Sequence, residues 1–167
     1  MIVVCGLNAV QDQVDTHGVG RVISLLSPDT PHRSFDGIVP EQHLRLSFHD
    51  IVEAAGDFSA PKATDAEKLV RFIEAWDRKQ PLLIHCWAGI SRSTASAYTA
   101  LCMLRPKADE EELAFELRAA SPSATPNKLI VSYTDALLGR SGRMSRAVEK
   151  IGRGENAFEG TPFILRP

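Results

Sequence analysis

Residues 82 to 93 read LLIHCWAGISRS. The first five, Leu82 to Cys86, form a short run after Pro81. Its continuous apolar character is that of a strand buried on both faces, as in a parallel sheet. Trp87 to Ser91 then make a loop, in which Gly89 allows a tight backbone turn and small Ala88 keeps the path open. Beyond Ser93 a helix is predicted from Thr94 to about Leu104, stopping before Pro106. A loop between a strand end and a helix start has N–H groups without helical partners. They can converge on an anion, reinforced by the helix dipole.

Arg92 adds a planar fork able to hold two phosphate oxygens at once. Cys86 lies at the floor of this cradle. Dipole, amides and arginine all favour thiolate over thiol, so Cys86 is expected to be ionised and aimed at the bound anion. A thiolate facing phosphorus in line with a leaving oxygen gives phosphoryl transfer to cysteine. Neutralising the phosphate oxygens by Arg92 and the amides of Trp87, Ala88, Gly89, Ile90 and Ser91 is then the main catalytic term. The Ser93 hydroxyl can donate to the sulfur and help it leave when water breaks the phosphocysteine.

Strand and helix patterns alternate outward from this stretch. Ile2 to Leu7 and Arg21 to Ser27 read as buried strands, with a weak helix between them reaching Val14. Residues 28 to 41 read as loop with one edge strand near Gly37-Ile38-Val39. His43 to Asp50 alternates, with Leu44, Leu46 and Phe48 on one face, and its end delivers Asp50. Thr64 to Glu67 fits a capping box opening a helix that ends near Lys79. Asp109 to Glu112 opens another helix, to Ala120. Thr125-Pro126 places a cap before a first-turn proline, for a helix to Leu138 with Gly139 beyond it. Residues 144 to 152 allow one more helix, and the rest reads as a surface-packed tail. The alternation predicts an α/β fold: a central, mainly parallel sheet of four to five strands flanked by helices on both faces. Ligands in such sheets bind beyond the carboxyl ends of the strands. One domain is expected over residues 1–167, with a core over 1–138 and a C-terminal helix and tail over 139–167.

The bulk numbers agree. Hydrophobic residues make up 44% of 167, enough for a core without disulfide or metal. The net charge of -2 signals no basic face, which argues against a nucleic-acid partner. Three cysteines without a CxxC pair suit free thiols in a reducing compartment, and a cytoplasmic protein is expected. The first ten residues lack the pattern of a secretory signal, no apolar run reaches membrane-spanning length, and no membrane partner is expected. Nothing has metal-ligand spacing.

At HCWAGISRS the chain resembles the Cys-x5-Arg protein tyrosine phosphatase superfamily, closest to the dual-specificity phosphatases, whose pattern reads His-Cys-x-Ala-Gly-x-Ser-Arg-Ser. The likeness is strong over residues 82 to 104 and extends more loosely from about 40 to 138. It implies no cofactor and a phosphocysteine intermediate. Cys86 takes the nucleophile's place, Arg92 and the loop amides bind phosphate, and Ser93 is the assisting hydroxyl. His85 matches the histidine that supports the loop, and Asn127 matches a position that braces it.

The leaving oxygen needs a proton from a carboxylic acid, which this family takes from an upstream aspartate. Asp50, at the sheet edge expected to hold Cys86, is favoured over Asp57, in the Gly-flanked loop that follows. The expected substrate is a phosphorylated protein or a small phosphomonoester, phosphotyrosine with or without phosphoserine and phosphothreonine. A catalytically weak phospho-binding module is the alternative. Oligomeric state has no signal in the sequence.

Overall fold

Runs of β-branched and apolar residues at Ile2–Gly6 (β1), Arg21–Leu26 (β2) and Leu82–Cys86 (β4) pair in parallel at the centre of a five-stranded sheet. The computed structural model describes residues 1–53 and 55–167. The strand order is β3-β2-β4-β1-β5, with β3 at His43–Ser47 and β5 at Phe163–Leu165. All pairs are parallel except β5, which runs antiparallel along β1 with Val4 opposite Phe163. Parallel pairing brings the ends of β2, β3 and β4 to one edge of the sheet, and β4, bearing Cys86, is central. β5 covers the outer edge of β1, which would otherwise expose unpaired backbone groups.

Among the described residues six α-helices complete the fold: α1 Val10–His17, α2 Ala63–Glu74, α3 Arg92–Leu104, α4 Glu110–Ala120, α5 Lys128–Leu137 and α6 Arg143–Ile151. Side-chain alternation divides the core between the sheet faces. Val3, Cys5, Val22 and Leu83 pack with Val10 and Val14 of α1. Val4, Ile23, Leu25, Ile84 and Cys86 face the larger core built with α2 to α6. The helices thus flank both faces, but unequally.

α3 is buried from Arg92 to Cys102. Small residues let it sit tightly on the sheet, and their hydroxyls bond back to the preceding turn: Ser96 to Arg92 O at 2.9 Å, Thr99 to Ala95 O at 3.0 Å. At the far end, the buried Glu110 carboxylate accepts from Arg140 Nη1 at 2.8 Å and Arg143 Nε at 3.1 Å, tying α4 to the start of α6. Asp135 of α5 caps α6 from a distance, accepting from the amides of Gly142 at 2.6 Å and Met144 at 2.7 Å.

Several expectations shift. No strand forms at Gly37–Val39; a short 3-10 turn follows at Pro40–Gln42. β3 stops at Ser47, so Asp50 stands three residues past the strand, in a loop. α2 begins at Ala63 with Lys62 at its N-cap position, and Asp65 in the first turn, not Glu67, reaches back to accept from the Lys62 amide at 2.9 Å. Asn127, not Thr125, caps α5 through Oδ1 to the amides of Leu129 and Ile130. The C-terminal helix forms as α6, and Met144, Ala147, Val148 and Ile151 from it enter the main core together with Phe163 and Leu165 of the tail. Among the described residues no helix is long and apolar enough to cross a membrane.

Candidate active site

The loop after β4 is held by its carbonyls. Cys86 O lies 3.3 Å from His85 Nδ1. Trp87 O accepts from the Leu7 amide at 3.0 Å, and Ala88 O from the Gly160 amide at 2.8 Å. Ile90 O accepts from the Thr125 amide at 2.9 Å; Ser91 O accepts from Ala95 at 2.9 Å and Asn127 at 3.3 Å. These donors come from the end of β1, the C-terminal tail, the α4–α5 connection and α3. In a trans peptide the C=O and the next N–H point to opposite sides. Carbonyls tied outward therefore turn the following amides inward, toward a common centre. The Gly89 amide shows the result directly: it donates to Cys86 Sγ at 3.2 Å. Such an inward nest is a site for a tetrahedral anion.

Gly89 makes the turn with φ +74°, and a Cβ there would lie 2.7 Å from Gly6 N, so only glycine fits. Cys86 sits at the floor of the nest, 2% exposed. Its sulfur is 3.2 Å from Ser93 Oγ, at the first turn of α3. Arg92 is fixed on one side, with Nη1 donating to Phe48 O at 2.9 Å and Ser27 Oγ at 3.3 Å. Its Nε is buried and makes no hydrogen bond among the described residues. Asp50 Oδ2 stands 3.9 Å from that nitrogen. A buried charged donor without a partner is costly, and a phosphate oxygen in the nest would satisfy it.

Asp50 is gathered in despite its position beyond the strand. Its Oδ1 accepts from Ser91 Oγ at 2.7 Å and Asn127 Nδ2 at 2.9 Å. Asn127 Nδ2 also reaches Ile51 O at 3.3 Å. Asn127 thus links the Asp50 loop and α5 through its side chain and the anion loop through its backbone amide. Asp57 lies elsewhere, on an exposed turn closed by the Phe58 amide to Ala55 O at 3.0 Å. That turn packs on His49, whose ring meets Phe58 edge to face at 4.8 Å.

Trp87 is half exposed and turns its ring edge to exposed Phe158 of the tail, centroids 5.4 Å apart. Ile90 and Ser91 border an open groove of about 410 Å³ shared with Thr125, Lys128 and Arg153. Cys5, the neighbour of the Cys86 strand, belongs to the core on the opposite sheet face. Burial first, then the nearby Cys86 and Glu159, push its thiol up to about 12. This disfavours a reactive pairing of the two cysteines. Among the described residues no three His, Cys, Asp or Glu side chains are grouped to hold a metal ion.

Sequence reasoning missed the residues behind the loop. His85 Nε2 is 2.5 Å from Ser24 Oγ, which is 2.7 Å from His43 Nε2. Leu7, Thr125 and Gly160 serve through backbone amides, which carry no sequence signal.

Comparison with known proteins agrees with this geometry. DUSP15 superposes with a TM-score of 0.66 at 20% identity, covering 93% of this chain and 94% of that one. Human DUSP28 gives 0.61 at 22%, with 83% and 94% covered. PTPMT1, solved in complex with PI(5)P, gives 0.59 at 18%, with 84% and 94% covered. At these identities the likeness is one of fold. No curated protein matches the chain. The family model for the DSP-PTPase phosphatase of polymorphic toxin systems matches residues 8–105, from the end of β1 through α3. That match takes in the Cys86 loop and the Asp50 loop together, and the chain belongs to this family of cysteine-dependent phosphatases.

Proposed function

We propose that the whole chain is one phosphatase domain that removes phosphate from tyrosine residues of proteins, with Cys86 as nucleophile and Asp50 as general acid. The observation that carries this reading is the loop whose Trp87, Ala88, Ile90 and Ser91 carbonyls are tied outward while the Gly89 amide points to the sulfur, beside a buried arginine nitrogen that makes no hydrogen bond among the described residues. The phosphate dianion takes the inward amides and Arg92 Nε. Cys86 Sγ attacks phosphorus opposite the ester oxygen, and the P–O bond breaks as Asp50 gives that oxygen its proton. In the second step Asp50 takes a proton from water, which attacks phosphorus. The S–P bond breaks, and Ser93 Oγ, 3.2 Å away, donates to the departing thiolate.

Two features favour a phosphotyrosine substrate. None of Trp87, Ala88, Ile90 and Ser91 is basic, unlike a loop built for polyanionic headgroups. Exposed Trp87 and Phe158 offer an aromatic surface beside the loop, and the adjoining groove has space for peptide. The buried free cysteines and the acidic net charge fit a cytoplasmic enzyme with no nucleic-acid partner.

Initial rates on an aryl phosphate test the assignment. Cys86→Ser is expected to abolish turnover. Asp50→Asn should cost about 10²–10⁴ in kcat, and Asp57→Asn less than twofold. A larger loss in the Asp57 variant would transfer the acid role to it. Undiminished turnover by Cys86→Ser would end the mechanism. Phosphotyrosine, phosphoserine and phosphoinositide substrates compared side by side decide the class.

A further inference from the structure

Two buried histidines and a serine run in line behind the anion loop. His43 opens β3, Ser24 lies in β2, and His85 precedes the nucleophile in β4. Ser24 Oγ is 2.7 Å from His43 Nε2 and 2.5 Å from His85 Nε2, and His85 Nδ1 is 3.3 Å from Cys86 O. Phe35 seals the group, tilted on His43 at 5.3 Å and edge-on to His85 at 5.7 Å. Both imidazoles are neutral. Burial, then Arg45, lowers His43 to about 4; burial lowers His85 to about 3 although the bond to Cys86 O opposes it.

Neutral rings carry one N–H each, so only one arrangement of protons fits every contact. Cys86 O can only accept, so His85 carries its proton on Nδ1. His85 Nε2 is then an acceptor and takes the Ser24 proton. Ser24 Oγ, its proton used, accepts from His43 Nε2–H. The reverse order would set the Nδ1 lone pair against the Cys86 carbonyl, two buried acceptors face to face. The Cys86–Trp87 peptide would then be free to rotate, and the Trp87 amide would leave the nest.

We propose that His43 and Ser24 are positioning residues for catalysis: they hold His85 in its Nδ1–H tautomer, which pins the Cys86 carbonyl outward and the loop amides inward. This rests on the reading of the Cys86 loop as the catalytic centre. Neither residue touches substrate; both act through His85.

Nitrogen-15 NMR of histidine-labelled protein reads the tautomer directly. Wild type is expected to show His85 protonated at Nδ1 and His43 at Nε2. Ser24→Ala removes the donor to His85 Nε2 and leaves only the 3.3 Å contact to Cys86 O to hold the ring, so the Nε2–H fraction of His85 should rise and kcat on an aryl phosphate fall about tenfold, the size expected when a histidine loses its orienting partner. Ser24→Thr, which keeps the hydroxyl, restores both. His43→Leu should lower kcat severalfold, and His43→Gln, with its side-chain donor, should recover it. A wild-type His85 protonated at Nε2 overturns the proposal, as does wild-type kcat in Ser24→Ala. So does a loss that Ser24→Thr fails to restore. If the wild type hydrolyses no aryl phosphate, the functional reading falls by itself, and the His85 spectrum still decides the relay. The wild-type spectrum serves equally if Ser24→Ala does not fold.

Discussion

Replacing Gly89 with alanine tests the anion nest with a single methyl group. The residue holds φ +74°, where an L side chain costs about 1–2 kcal/mol. The added Cβ would lie 2.7 Å from Gly6 N, 2.8 Å from Cys5 C and 3.0 Å from Cys5 O. All three are backbone atoms of β1, which is hydrogen-bonded to β4 on one side and β5 on the other. β1 cannot retreat without breaking the sheet, so the loop must give. Relieving such a contact takes a shift approaching 1 Å, and a misplacement of that size costs on the order of 10²-fold in rate. Overpacking adds about 1–3 kcal/mol, for a total of about 2–5 kcal/mol. At roughly 2–4 °C per kcal/mol for a chain of this size, Tm should fall by at least about 4 °C. The assay pairs aryl phosphate turnover with thermal melts in the presence and absence of inorganic phosphate. Phosphate should raise the Tm of the wild type by binding the native state and do so much less in the variant. Wild-type kcat together with an undiminished phosphate shift in Gly89→Ala would refute the nest as drawn.

Three further outcomes are expected. Glu110→Ala leaves Arg140 buried without its carboxylate, which should cost about 3 kcal/mol or more and lower Tm by about 6 °C or more in calorimetry; a loss under about 1 kcal/mol would mean that the carbonyls of Cys102 and Pro106 suffice for Arg140. Acidification should destabilise the fold below pH 6.5, because the unfolded chain protonates His43 and His85 there while the native state, with values near 4 and 3, does not. Stability is full above about 6.5 and falls as pH drops toward 4, by up to about 1.4 kcal/mol per pH unit for each histidine; chemical denaturation between pH 7 and 5 should show this slope, halved in His43→Gln, and a flat profile would contradict neutral histidines. Truncation after Ile151 removes the Gly160–Ala88 bond and bares the edge of β1, so it should cut turnover more than tenfold and promote self-association on size-exclusion chromatography.

The strand–loop–helix around Cys86 was legible because everything that defines it is local: an apolar run, one glycine, one arginine, one helix start. Asp50 was only partly legible. Alternation through Phe48 suggested a strand reaching it, but pairing with β2 ends at Ser47, and the carboxylate is placed by Ser91 and Asn127, far away in sequence. The cap of α5 was misread because the Thr125 hydroxyl is engaged by Ser123 O and the Gly154 amide, leaving Asn127 Oδ1 to serve the helix. A three-residue strand such as Phe163–Leu165 is too short to carry a period. Ser24 and His43 read as ordinary polar strand residues, since periodicity assigns a face and cannot reveal a partner on another strand.

These gaps share a cause. An amide nest is made by turning carbonyls away, and a carbonyl is turned by whichever donor the fold brings to it, whatever residue that donor belongs to. Three of the donors around this loop, the amides of Thr125, Asn127 and Gly160, lie beyond residues 8–105, where the family match ends. The motif therefore specifies the reacting groups, and the second half of the chain specifies their geometry. Substitutions that keep a backbone N–H at Thr125 and Gly160 should be tolerated as far as their side chains fit, whereas Asn127 also holds Asp50 and caps α5 through its side chain. Proline at 160 removes the donor to Ala88 O itself. It should impair turnover much as Gly89→Ala does, although Gly160 lies far along the chain from Cys86.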